Sequence, residues 1–154
     1  MSIWGNGVAE NDDAADWLSD LADEASLVDI EQALTDVADA DEGEYLEVTE
    51  CASAIAAAAV LADLLDRDGE LETERYDVPL STLRAELEQR DRAAIRELGL
   101  TALEALKCVD DETLSELRDL WDEAGDHAAW VGQLRRIAAR IARHLPDGPD
   151  APPS

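Results

Sequence analysis

The chain has 154 residues, 46% of them apolar, and a formal net charge of −26 from 38 acids and 12 bases. That length supports one domain burying about 68–70% of its unfolded surface, so a core needs neither metal nor disulfide. Clustered Lys and Arg are what phosphate and anionic lipid surfaces require, so direct nucleic-acid or membrane binding is disfavoured and any partner is expected to be a basic protein.

The charge is uneven. Residues 1–74 hold 22 acids and the single base Arg67, whereas residues 75–154 hold 16 acids and 11 bases. The N-terminus has neither a basic region nor an apolar stretch, and the weakly charged run at 48–62 is too short to span a bilayer. A cytoplasmic location is expected, with Cys51 and Cys108 as reduced core residues.

The predicted elements are helical almost throughout. A first helix is expected over about 12–22, capped by Asn11 or Asp12, with Ala14, Trp17, Leu18 and Leu21 inward. Ser26 caps a second over about 27–39, where Leu27, Ile30, Leu34 and Val37 are spaced 3, 4 and 3. Residues 39–45 read as a loop, and 43–48 as briefly extended. The third helix, about 47–65, is alanine-lined and is placed at the bundle centre, because small side chains let neighbours approach closely.

After a polar connector at 66–79, Pro79 or Ser81 opens a fourth helix with Leu80, Leu83 and Leu87 on one face. A fifth, about 91–109, carries Ile95, Leu98, Leu103 and Leu106, with Gly99 expected to bend or split it. A sixth has Leu114, Leu117, Leu120 and Trp121 and ends at Gly125. The last, about 126–144, turns Trp130, Val131, Leu134, Ile137, Ala138 and Ile141 inward, with Leu145 just beyond. The expectation is an all-α, single-domain bundle of six or seven helices over residues 1–145, with a disordered tail at 146–154.

No reaction is written in the motifs. The acidic run Glu10, Asn11, Asp12, Asp13 and Asp16 lacks the alternating spacing of a calcium loop and reads as a helix cap with a solvated face. Glu123 and His127 stand at i, i+4 with no third metal ligand in view. No serine has a nucleophile-elbow setting, neither cysteine has a nearby histidine, and the Trp-Gly-Asn-Gly turn lacks the strand and lysine of a phosphate loop. No catalytic residue, metal ligand or cofactor is assigned. Arg136, Arg140 and Arg143 share one face of the last helix. They either pair with the acidic half of the chain, or lie in solvent, or offer a small patch to an anion.

The opening MSIWGNGVAENDDAADW resembles the N-terminal signature of the family called domain of unknown function 4259. Trp4, Gly5, Gly7, Glu10, Asn11, Asp12, Ala14, Asp16 and Trp17 match it in register, while Ser2 replaces the usual glycine and Ala9 the usual aromatic. Weaker likeness continues through 44–65 and 116–134. The resemblance implies a small bacterial cytoplasmic protein and no activity. On physical grounds Gly5 and Gly7 fold the N-terminus back so that Trp4 plugs the bundle, a contribution of about 3–5 kcal/mol for a buried tryptophan.

Three functions fit these residues. The leading one is a non-enzymatic interaction module whose acidic face, Asp13, Asp20, Asp23, Glu24, Asp29, Glu31, Asp36 and Asp39, docks on a basic protein. An immunity or antidote protein blocking a basic nuclease-like toxin is one form. The alternative is a small enzyme or ligand-binding protein with a pocket at Trp4, Asn11, Asp12 and Trp130. The third treats the acidity as a solubility device without a partner.

Overall fold

The computed structural model describes residues 12–24, 26–40, 46–66, 79–111, 122–123, 125 and 127–145. These contain six helices: α1 (Asp12–Asp23), α2 (Leu27–Ala38), α3 (Val48–Leu65), α4 (Leu80–Glu88), α5 (Arg92–Val109) and α6 (His127–His144). No strand occurs among the described residues. Leu46 makes one isolated bridge before α3. The architecture is an all-α bundle, as the helical periods require. The expected Trp4 plug, the helix after residue 112 and the tail lie outside the described residues, apart from the short helical pair at 122–123 and Gly125.

The bundle is arranged around α3, which packs against α1, α2, α4, α5 and α6. Its run from Ala54 to Asp63 is completely buried, so side chains on every face meet protein. Alanine makes this possible, because a helix contacted on all sides must be thin. Leu18 and Leu21 of α1, the Leu27, Ile30, Leu34 and Val37 stripe of α2, and Ile137 and Ile141 of α6 close over it. Burial of this kind is worth about 1.5–3 kcal/mol for each large aliphatic side chain. No described helix is long and apolar enough to cross a membrane.

Gly99 does not split α5, which runs unbroken through it from Arg92 to Val109. The glycine instead gives room to α6. A Cβ at position 99 would collide with Leu145 Cδ2 and lie 3.6 Å from Ile141 Cγ2. Together with Ala102 and Ala105 it forms a buried small-residue seam along α5.

Helix α4 ties two other helices together through their ends. The Leu27 backbone N–H, at the start of α2, donates to Glu86 Oε2 at 2.8 Å, and the Val28 N–H donates to Ser26 Oγ at 3.2 Å. At the end of α3, Arg84 Nη2 donates to the Asp63 carbonyl at 2.9 Å and Nε to the Leu64 carbonyl at 3.3 Å. An acid thus meets a helix N-terminus and a base a helix C-terminus, both favoured by the helix dipole.

Candidate functional site

A cleft of about 660 Å³ opens between α1 and α2 beside the first turn of α3. Trp17, Leu21 and Ala33 give it an apolar lining. Asp20, Asp23 and Glu24 stand on the α1 side, Asp29 and Asp36 on the α2 side, and Glu50 at the α3 end. Helical period puts Trp17 in the inward stripe of α1. It packs on the core at one edge but remains half-buried and lines this opening.

Helix geometry explains the arrangement. On α2, residues 29, 32, 33 and 36 recur at spacings of 3, 1 and 3, forming a strip beside the buried stripe of 27, 30, 34 and 37. Residues 17, 20 and 21 of α1, with Glu24 just past its end, repeat the same pattern. Two strips of this kind face each other only because both helices rest on the narrow, alanine-rich α3.

Five of the eight acids proposed from sequence, Asp20, Asp23, Glu24, Asp29 and Asp36, therefore line one cleft. Of the others, Glu31 faces away and accepts from Arg90 Nη1 at 3.1 Å. Asp39 is the C-cap of α2 and is exposed outside the cleft. Asp13 lies in α1 with its side chain outside the described set. Within the cleft, Asp36 Oδ1 accepts from Gln32 Nε2 at 2.7 Å, and Glu50 Oε1 accepts from the Glu47 N–H at 3.5 Å, capping α3. Asp20, Asp23, Glu24 and Asp29 make no ion pair with any described residue. Among the described residues no three His, Cys, Asp or Glu side chains cluster as a metal ion would require. The cleft's charge is distributed along its walls.

A second charged constellation runs from the bundle interior at Asp63 and Arg140 to its surface at Arg143 and His144. Arg140 of α6 is buried, with Nη2 3.0 Å from Asp63 Oδ1 and Nε 3.2 Å from Asp66 Oδ2. Asp66 also meets Arg143 Nη2 at 3.7 Å and His144 Nε2 at 3.2 Å. Burial pushes the Asp66 carboxyl up. The hydrogen bond from Arg140 and the charges of His144, Arg140 and Arg143 outweigh that and hold it below its ordinary value. The arginine face of the last helix thus pairs, at Arg140 and Arg143, with the acidic half of the chain. Sequence reading missed Asp63 and Asp66. The available signal was an acid, Asp63, flanked by Ala62 and Leu64 in the most apolar helix.

The alternative pocket is not assembled by the described residues. Trp4 and Asn11 lie outside them, as do the side chains of Asp12 and Trp130, although Asp12 begins α1 and Trp130 lies in α6. Cys51 and Cys108 are free and buried. Burial, followed by the charges of Glu104 and Asp111, pushes the Cys108 thiol up, which disfavours the thiolate a nucleophile needs.

No curated protein and no solved structure matches the chain. A family profile described as "Domain of unknown function (DUF4259)" matches residues 2–133, which include α1 to α5, the whole cleft and the first turns of α6. The chain belongs to the DUF4259 family.

Proposed function

We propose that this protein is a non-enzymatic interaction module and that the α1–α2 cleft is where it docks a basic protein. The observation that carries the reading is the convergence of six carboxylates on one concavity, four of them with neither a side-chain hydrogen bond nor an ion pair to any described residue. Like charges held at close quarters repel, and a cationic surface relieves that repulsion while gaining steered, rapid association. An inhibitor of a basic nucleic-acid enzyme is one form such a module takes, because the acidic walls present charge where that enzyme expects phosphate.

The test compares the wild type with the D20N/D29N/D36N variant as baits in a native lysate at low ionic strength. The expected result is a basic protein held by the wild type, lost from the variant, and released by about 0.5 M salt as screening shortens to a few ångströms. Capture of the same proteins by both baits overturns the reading.

A further inference from the structure

We infer that the cleft takes an arginine-bearing segment of the partner chain, with a guanidinium laid against the Trp17 indole between the two acidic walls. This rests on the docking reading above and narrows it to a chemistry. Three observations define the occupant.

The first is the lining. The cleft is not only acidic: the half-buried indole of Trp17, with Leu21 and Ala33, supplies a flat apolar surface among the carboxylates. An ammonium is strongly hydrated and gains little from such a surface. A guanidinium is planar, weakly hydrated, stacks on an indole and still donates in the plane to flanking carboxylates.

The second is the spread of charge. No described triad is tight enough for a metal ion, so neutralising both walls takes several cationic groups separated along a chain. A volume of about 660 Å³ accommodates a few side chains and not a folded domain.

The third is Val28, 61% exposed. Only it and Leu100 are large apolar side chains left exposed among the described residues. Val28 adjoins Asp29 in sequence and lies one turn from Gln32, both of which line the cleft. An apolar contact at the rim of an acidic cleft suits a polypeptide, which brings apolar side chains next to its arginines. A small polyamine brings none.

The test uses three probes of equal charge: capped tetra-arginine, capped tetra-lysine and spermine. Each is titrated calorimetrically into the full chain at about 20 mM salt, where the screening length is long. The expected result is tetra-arginine bound about fivefold more tightly than the other two, the scale of one partly desolvated cation–π contact. Trp17→Leu, confirmed folded by circular dichroism and thermal melting, removes that preference while leaving tetra-lysine affinity unchanged. Trp17→Phe retains part of it. The Trp17 indole N–H resonance, identified by its absence from W17F, shifts with tetra-arginine.

Equal affinities for all three probes, unaltered by W17L but lost in D20N/D29N/D36N, overturn the arginine inference and leave the docking reading intact. Binding that survives neutralisation of the cleft, or no binding of any probe, overturns both. A sedimenting mass of twice 16.7 kDa at low salt that falls to the monomer in D20N/D29N/D36N assigns the cleft to a second copy and also overturns the inference.

Discussion

Arg140 Nη2 lies 3.0 Å from Asp63 Oδ1, joining the end of α6 to the end of α3 through two side chains almost wholly removed from solvent. A buried ion pair of this kind is weak evidence for net stability, because desolvation offsets most of the attraction. Its removal by halves is another matter. Arg140→Met leaves Asp63 charged and buried without its guanidinium, and a loss of about 3–5 kcal/mol is expected in urea denaturation. The double variant D63L/R140M should recover part of that loss, since apolar replacement of a buried pair is often neutral, and the remainder reports the Arg140 bond to Asp66 that it also removes. An R140M cost below about 1 kcal/mol contradicts the assignment.

Asp66 makes acid sensitivity predictable in sign. Its folded-state carboxyl lies below the ordinary value of 3.8, so its contribution is fully present above that value and is lost as pH falls through the lower, folded one. The stability difference between wild type and D66N should therefore shrink steadily as pH falls below 4. Urea titrations at fixed pH measure it. A difference that grows as pH falls below 4 would mean that the carboxyl is raised in the folded protein.

Much of this fold is legible in the sequence because helical period and caps point the same way. Leu27, Ile30, Leu34 and Val37 predict the buried face of α2, and Ser26 predicts its cap. The starts of α4 and α5 follow from Pro79 and Asp91. What periodicity does not carry is the relation between helices. The acids of α1 and α2 are legible as a surface, but their convergence into a cleft depends on how both helices lie on α3. Arg140 sits at the edge of the apolar stripe, between Ile137 and Ile141, where an arginine points either to water or inward. Asp63 and Asp66, 77 and 74 residues away in the chain, decide which. Gly99 gives the opposite lesson: a glycine in a helical pattern suggests a break, but here it marks a close approach.

The Glu86 contact to the start of α2 predicts a measurable long-range cap. Leu27 N–H has this carboxylate 59 residues away as its acceptor. Glu86→Ala should cost about 1–2 kcal/mol, the scale for loss of a helix cap. Glu86→Gln keeps an acceptor oxygen and should cost less than half as much. Native-state hydrogen exchange at Leu27 should accelerate in E86A more than exchange in the middle of α5. Uniform acceleration would mean that Glu86 acts through global stability alone.

Salt separates the structural consequences of the charge. With 38 acids in 154 residues, self-repulsion destabilises the compact state, and screening should raise the melting temperature steadily between about 0.02 and 1 M salt. The D20N/D29N/D36N variant removes three of the six cleft carboxylates. It should melt higher than wild type at low salt and converge with it at high salt. Parallel curves would show that the cleft acids do not repel one another appreciably.

Two glycines in helix interiors should respond oppositely to the same substitution. Gly132 is exposed in α6, and a methyl group added there would meet nothing within 4 Å, so G132A should gain about 0.8–1.0 kcal/mol from helix propensity alone. Gly99 offers the same propensity gain, but its new methyl runs into Leu145 Cδ2. Leu145 is half-buried just past the end of α6 and must swing aside, surrendering its contact with α5. G99A should therefore be neutral to destabilising in the wild type, yet stabilising once Leu145→Ala has removed the obstacle. A double-mutant cycle by urea denaturation reads the difference as a coupling of about 1 kcal/mol. Additive effects would mean that α5 and α6 do not meet at this point, and with that the placement of α6, including its buried Arg140, would have to be redrawn.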